Sequence, residues 1–348
     1  MAQSSSLVTA SWQYYVPLLL ASPLALLVVL KLWRRYRARN ACLRHQHFVI
    51  TGGSSGIGRA LARAVVRRGA NVTLIARNAD RLEEAKIELL EEASSPEQAV
   101  HTLSADLATS KAGEAVLTRG IEEAEQVCGP VDYLVNCAGS AVSLRFDETP
   151  LAEFQRMMEA SAVNYLSAVH ATRVVLSGMK QRGSGSISFV SSVAGLMGLY
   201  GYTAYSPAKF ALVGLAQSLR MEVKHRGIHV MVAFPPDTDT PGFAEEERTK
   251  PIETKLISAA GGLWSADVVA SSLLQDVLEG NVTSALGLDG CTMTMLCAGM
   301  MPPNSVLEVV VQALTMGTLR IMGCLYLSHF YRLVARCAAN REGSKKGS

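Results

Sequence analysis

Tyr205 and Lys209 stand four residues apart in Tyr205-Ser206-Pro207-Ala208-Lys209. On a helix that spacing puts both side chains on one face. An ammonium beside a phenol favours the phenolate, so the tyrosine pKa is expected to fall toward working pH. A phenol tuned in this way can give or take the proton of an alcohol/ketone pair. Upstream, Ser191-Ser192-Val193-Ala194-Gly195 offers a hydroxyl to hold the substrate oxygen, and either Ser191 or Ser192 can supply it. Asn164 lies in a long helical stretch, where a buried amide is either a satisfied core group or part of a relay. Asn136-Cys137-Ala138-Gly139 follows an apolar strand pattern and is a fourth candidate segment.

A proton donor of this kind needs a partner that carries electrons, and the N-terminal third offers a place for one. In Thr51-Gly52-Gly53-Ser54-Ser55-Gly56-Ile57-Gly58 a glycine-rich turn follows the apolar run Phe48-Val49-Ile50 and opens a helical pattern. Gly52, Gly56 and Gly58 permit a tight turn and close backbone approach. Ser54, Ser55 and Ile57 complete a cradle at a helix N-terminus, whose unpaired N–H groups favour a phosphate. Gly58 is followed by Arg59-Ala60 rather than Lys and Ser or Thr, which excludes a nucleoside triphosphatase P-loop. At the end of the second strand an NAD site usually places an acid. This chain has Ala76-Arg77-Asn78 with Arg81 one turn later. Guanidinium groups there suit the 2′-phosphate of NADPH, and Arg59 can add to them. In Ala105-Asp106-Leu107, at the end of the third strand, Asp106 can accept from an adenine amino group.

These segments need a scaffold that gathers strand ends. Predicted strands at 48–51, 71–76, 100–105, 131–136, 186–191 and 228–234 alternate with predicted helices at 57–68, 80–93, 110–127, 151–181, 205–225 and 265–279. That alternation predicts an α/β fold, a doubly wound parallel Rossmann sheet in one domain covering 45–290. Its strands are continuous apolar runs, as expected with helices on both faces. The 348 residues carry a net charge of +3, against a basic nucleic-acid-binding face. The seven cysteines have no C-x-x-C spacing, so neither a disulfide framework nor a metal site is expected.

Both ends are apolar. The run of about 19 residues from Tyr15 to Trp33 is long enough to cross a bilayer core. Arg34, Arg35, Arg37 and Arg39 follow it. Residues 1–44 thus predict an uncleaved N-terminal membrane anchor with its basic flank, and the rest of the chain, in the cytosol. Residues 291–335 are again apolar, broken at Pro302-Pro303-Asn304, and predict a membrane-associated region that either crosses the bilayer or lies in its interface. Residues 336–348 read as a polar cytosolic tail, disordered from Arg341 to Ser348. Lys345-Lys346-Gly347-Ser348 resembles a dilysine retrieval signal of endoplasmic reticulum membrane proteins.

Together T-G-x-x-x-G-x-G, N-x-A-G, the S-S-x-x-G run and Y-x-x-x-K resemble the short-chain dehydrogenase/reductase family over about residues 46–290. The resemblance implies that Tyr205 is the general acid in reduction. Lys209 would lower its pKa and bind the nicotinamide ribose, and Asn164 would hold a water linking Lys209 to bulk. Asn136 to Gly139 would line the cofactor. The family's usual spacing to the tyrosine selects Ser192, with Ser191 adjacent to it. Where most members read Pro-Gly and then Thr, this chain has Pro235-Pro236-Asp237-Thr238-Asp239-Thr240-Pro241-Gly242-Phe243. That departure and the apolar C-terminal region resemble the 3-ketodihydrosphingosine (3-ketosphinganine) reductases of the sphingolipid pathway. The implied substrate is a long-chain 3-keto sphingoid base, reduced with NADPH at the endoplasmic reticulum membrane. Asp237, Asp239 and Glu245 to Glu247 either meet its amine or form a solvated loop. The resemblance allows a homodimer or homotetramer paired through the long helices. The alternatives are a membrane-bound family member acting on a steroid or retinoid, and a non-catalytic NADP-binding scaffold.

Overall fold

Alternate residues of the central strands enter different cores, as a strand's two-residue period requires. In β1 (His47–Thr51), Phe48 and Ile50 join one apolar cluster and Val49 the other. The computed structural model describes residues 25–107 and 111–346. After helix α1 over 25–39 and β1, the chain forms α2 (Gly56–Val66), β2 (Asn71–Ala76), α3 (Ala79–Glu91), β3 (Val100–Ser104), α4 (Lys111–Cys128) and β4 (Val131–Asn136). It continues with α5 (Leu151–Arg182), β5 (Gly185–Val190), α6 (Tyr205–Val223) and β6 (Ile228–Phe234). Among the described residues the main sheet is parallel, in the order β3-β2-β1-β4-β5-β6 with one further strand outside β6. The two flanking layers bury α2 and α3 on one face and α4, α5 and α6 on the other. The predicted doubly wound parallel sheet is thus present. Its strand order reverses direction between β1 and β4, which opens a crevice above their C-terminal ends.

The region after β6 holds what the sequence pattern did not resolve. It forms β7 (Thr238–Asp239), α7 (Pro241–Thr249), α8 (Ile252–Ser258), β8 (Trp264–Ser265), α9 (Ala266–Glu279) and β9 (Thr283–Ala285). Strand β9 is the added edge of the main sheet, and β7 pairs with β8 separately. These strands are too short to show a period. Backbone pairing with β6, and not side-chain pattern, makes β9 a strand.

The C-terminal region forms α10 (Gly287–Leu296) and α11 (Val306–Lys346), separated at the predicted Pro302-Pro303 break. Met293 and Cys297 pack α10 on the domain core. Among the described residues α11 is the helix long and apolar enough to cross a membrane, with a mean hydropathy of 1.4 over an 18-residue window within Val306–Glu342. Leu314, Ile321, Leu325 and Tyr331 are exposed on it. Its far end is held to the domain, since Arg341 bonds Glu253 of α8. The polar tail predicted to be disordered continues α11 as helix to Lys346. Ala335, Arg336, Ala338 and Ala339 are strong helix formers, and the Arg341 contact adds tertiary support. Residues 1–24 of the predicted N-terminal anchor lie outside the described residues. Residues 25–30 are helical, with Leu26, Val29 and Leu30 exposed.

The two apolar ends meet the domain at one edge. Gln275 of α9 donates to the Arg35 carbonyl of α1 at 2.8 Å. Asn304, just before α11, accepts from the Val282 and Thr283 amides at 2.7 and 2.9 Å and donates to the Thr283 hydroxyl at 2.9 Å. One side chain thereby satisfies the open edge of β9. Asn304→Ala leaves those groups unpaired and should cost about 1–3 kcal/mol. Hydrogen exchange at the Val282 and Thr283 amides should speed up while the β4 and β5 amides keep their protection.

Candidate active site

At the C-terminal end of β1 the Thr51 hydroxyl accepts from the Cys137 and Ala138 amides, both at 3.1 Å. That bridge brings the exits of β1 and β4 together at the sheet's reversal point. Gly52 follows in the left-handed region (φ 68°), and a Cβ there would stand 2.9 Å from the Ala138 Cα. At Gly58 a Cβ would overlap the Gly52 carbonyl. The glycines are therefore required by backbone contacts around a closed turn. Ser55, at the N-cap of α2, makes no side-chain cap bond, and the first turn of α2 holds no acid. Ser54 is buried, and Ser55, Gly56 and Ile57 are half-buried. The N–H groups of this helix start remain free for an anion, so the cradle fits a dinucleotide pyrophosphate.

The adenosine side is partly as expected. Arg77 and Arg81 are exposed at the end of β2 and in the first turn of α3, and among the described residues neither guanidinium forms an ion pair. The Asn78 side chain caps α3 by accepting from the Arg81 amide at 2.8 Å. Arg59, expected to join them, does not. It pairs with Glu88 of α3, which also holds Arg63 at 2.6 Å, so its charge braces two helices. Asp106 is exposed after β3. Leu107 sets its side chain in the core and its carbonyl against His170 at 3.0 Å.

Across the crevice, α6 begins at Tyr205 and places Lys209 one turn later. The Lys209 ammonium is buried, donates to the Val190 carbonyl at 3.0 Å and lies 5.5 Å from the Tyr205 ring centroid. The adjacent serines take different partners here. Ser191 donates its hydroxyl to the Lys209 carbonyl at 2.9 Å and is buried. Ser192 differs: its oxygen accepts from the Ala194 amide at 3.2 Å, and its hydroxyl lies near enough to the Tyr205 phenol to lower that group's proton affinity. Asn164 is buried with both ends of its amide on the Ser140 backbone, accepting at 2.8 Å and donating at 2.9 Å. A Cβ on Gly139 would lie 2.8 Å from the Asn164 oxygen and 3.5 Å from the Lys209 nitrogen, so these two groups flank one point of the backbone. Asn136 reaches Thr172 at 3.4 Å and leaves its buried oxygen without a protein partner.

The electrostatics differ from the sequence expectation at Tyr205. Burial pushes its phenol above the ordinary value, Glu246 adds to the rise, and the Ser192 hydroxyl opposes it. Lys209 is itself pushed down to about 8 by burial, with the Cys137 thiol opposing. Desolvation thus outweighs the expected help of the ammonium. A phenol held neutral keeps its proton available, which is the state a general acid needs at the start of a reduction.

The acidic loop also departs from expectation. Lys250, buried after α7, lies 3.5 Å from Asp237, 3.1 Å from Glu246 and 2.7 Å from Glu247. Glu245 pairs with Arg248 at 2.8 Å. A cation of the chain itself therefore occupies the cluster offered to a substrate amine, leaving the exposed Asp239. Sequence reading missed Tyr202 and Lys250 as parts of the site, and it offered Glu246 to a substrate amine where the fold gives it to Tyr202 and Lys250. The four-residue spacing of Glu246 and Lys250 was the available signal, since it puts the pair on one helical face.

Thr51→Val removes the acceptor of two amides at the strand exits. The expected loss is about 1–3 kcal/mol of unfolding free energy, read by denaturant titration.

Comparisons with known proteins agree with this geometry. The family model described as short chain dehydrogenase matches residues 46–251. The chain is 47% identical over 304 residues to the 3-dehydrosphinganine reductase of Danio rerio, covering 87% of this chain and 90% of that one. It is 44% identical over 291 residues to the 3-ketodihydrosphingosine reductase of Bos taurus, covering 84% and 86%. Among solved structures, L-sorbose reductase from Gluconobacter frateurii, complexed with NADPH and L-sorbose, superposes with a TM-score of 0.57 at 28% identity, covering 68% of this chain and 90% of that one. The chain belongs to the short-chain dehydrogenase/reductase family.

Proposed function

We propose that the chain reduces the C3 ketone of 3-ketodihydrosphingosine, a long-chain 3-keto sphingoid base, to the alcohol of dihydrosphingosine with NADPH. The observation that carries this is the Ser192–Tyr205–Lys209 arrangement facing the phosphate turn, in a chain 47% identical over 87% of its length to a relative named for this reaction. The ordered set of Ser192, Tyr205, Lys209 and Asn164 favours a catalyst over an NADP-binding scaffold.

NADPH, when bound, supplies the hydride. The turn from Gly52 to Gly58 and the start of α2 would hold its pyrophosphate, Arg77 and Arg81 its 2′-phosphate, and Asp106 with the Leu107 backbone its adenine. Asn136 would line the cofactor from the exit of β4, and Lys209 would bind the nicotinamide ribose. Tyr205 gives its proton to the ketone oxygen as charge develops there. Ser192 and Tyr205 both hydrogen-bond that oxygen, more strongly as it becomes an alkoxide. Lys209 stabilises the phenolate left behind. Asn164 holds the 140 turn beside Lys209, the place for a water that returns the proton from bulk. Ser191, tied to the Lys209 carbonyl, fixes the start of α6.

The substrate's alkyl chain calls for a membrane, and the exposed apolar residues of α1 and α11 support one. Arg341 links the far end of α11 to α8, where Thr254 donates to the Tyr200 carbonyl at 2.8 Å, a few residues before Tyr205. The apolar helix thus ends beside the segment that leads into Tyr205, which supports substrate delivery from that side. The basic flank of α1 and the terminal lysines support the cytosolic face of the endoplasmic reticulum.

Purified protein in detergent should oxidise NADPH with 3-ketosphinganine and stay inactive with a panel of ketosteroids and retinal. Turnover of the steroids alone would refute the substrate. Tyr205→Phe should abolish turnover and leave NADPH binding intact. Ser192→Ala should lower kcat about 100-fold, whereas Ser191→Ala should mainly lower thermal stability. Arg77→Glu should raise KM for NADPH about 10- to 100-fold and change KM for NADH little.

A further inference from the structure

We propose that Glu246 is a positioning residue of the reaction, acting on Tyr205 through Tyr202 and through its own charge. The inference rests on Tyr205 being the proton donor. Tyr202 is buried, and its phenol bonds Glu246 Oε1. Its ring centroid lies 5.3 Å from that of Tyr205, tilted by 50°. Its backbone is fixed on both sides, the amide donating to the Leu199 carbonyl at 3.2 Å and the carbonyl accepting from the Ser206 amide at 2.8 Å. Glu246 therefore holds the far end of an aromatic pair whose near end is the reacting phenol.

The charge arrangement has a direction. Lys250 gathers Asp237, Glu246 and Glu247 around one buried ammonium, and its nitrogen sits 4.5 Å from the Phe243 ring centroid. Among the described residues Lys255 of α8 pairs with Glu247 alone, at 3.6 Å. Three carboxylates thus meet one buried ammonium and one half-exposed one, which leaves a negative excess beside Tyr205. From α6 the phenol is faced by Lys209. From the exit of β5 it is faced by the Ser192 hydroxyl, from the loop after β6 by Asp237, and from α7 by Glu246. The Cys137 thiol at the exit of β4 faces Lys209. Tyr205 lies between a cation and carboxylates that push its proton affinity in opposite directions. A buried ion cluster is a costly way to hold a loop, and apolar residues of similar volume often stabilise more. Its placement against the aromatic pair supplies a reason for the cost.

The sign follows. Reduction needs the protonated phenol, so its rate falls as pH rises through the phenol's pKa. Oxidation needs the phenolate, so its rate rises across the same range. Removing a negative neighbour lowers that pKa. In full-length enzyme in detergent, Glu246→Gln should move the basic limb of kcat for ketone reduction, and the acidic limb of kcat for alcohol oxidation, down by about one pH unit. Asp237→Asn should move both limbs the same way by less, and carries the test where Glu246→Gln does not fold. Tyr202→Phe, which keeps the charge and loses the bond, should lower kcat about 10-fold with smaller movement of the limbs. Limbs that stay in place in both carboxylate variants, with only thermal stability reduced, would overturn the proposal. An active Tyr205→Phe would instead overturn the proton-donor reading on which it rests.

Discussion

The site depends on a close approach of two strand exits. Thr51 joins the end of β1 to the end of β4 through two amides, and Gly52 lets the phosphate turn lie directly on Ala138. Every other functional group is referred to that junction. Asn164 holds the next residues of the β4 exit by the Ser140 backbone, and Lys209 stands on the other side of Gly139. A Cβ at Gly52 would meet backbone on its way in, so the junction tolerates no side chain. The sheet's reversal of strand order supplies the crevice, and this contact decides how narrow it is.

Around the junction the chain keeps its charges few and dry. Lys209 is held to the Val190 carbonyl and pushed down to about 8 by burial. Tyr205 is pushed up by burial and by Glu246. The two shifts move the pair apart: the phenol holds its proton more tightly than in water, and the ammonium releases its own more readily. Low dielectric makes each neighbour count for more than it would in water. That is why the carboxylates around Lys250 belong to the chemistry of Tyr205 as well as to the packing of α7.

The apolar ends serve the same geometry from outside. Asn304 closes the edge of β9, and Gln275 holds the carbonyl of Arg35, so α1 and α11 leave the domain from neighbouring points. Leucines and an isoleucine on them are exposed among the described residues, and Arg37 lies over the Trp33 ring. Of the two, α11 is long and apolar enough to cross a membrane. The Arg341 contact then ties the end of α11 to the segment that leads into Tyr205.

The sequence by itself determined the sheet, the phosphate turn and the Tyr205–Lys209 pair, because these rest on local rules: apolar runs, glycines forced by backbone approach, and the pitch of a helix. The six main strands and their helices fall where those rules put them, within a residue or two. Contacts between distant segments left no local pattern, and tertiary structure alone decided them. Arg59 went to Glu88 because α2 packs on α3, not to the cofactor. The family's spacing favoured Ser192 over Ser191, and only the fold shows why they differ: the Lys209 carbonyl of α6 takes the Ser191 hydroxyl and leaves that of Ser192 near Tyr205. Strand β9 exists through pairing with β6 and Asn304. The rise at Tyr205 came from desolvation, a property of the finished core that residue spacing does not encode.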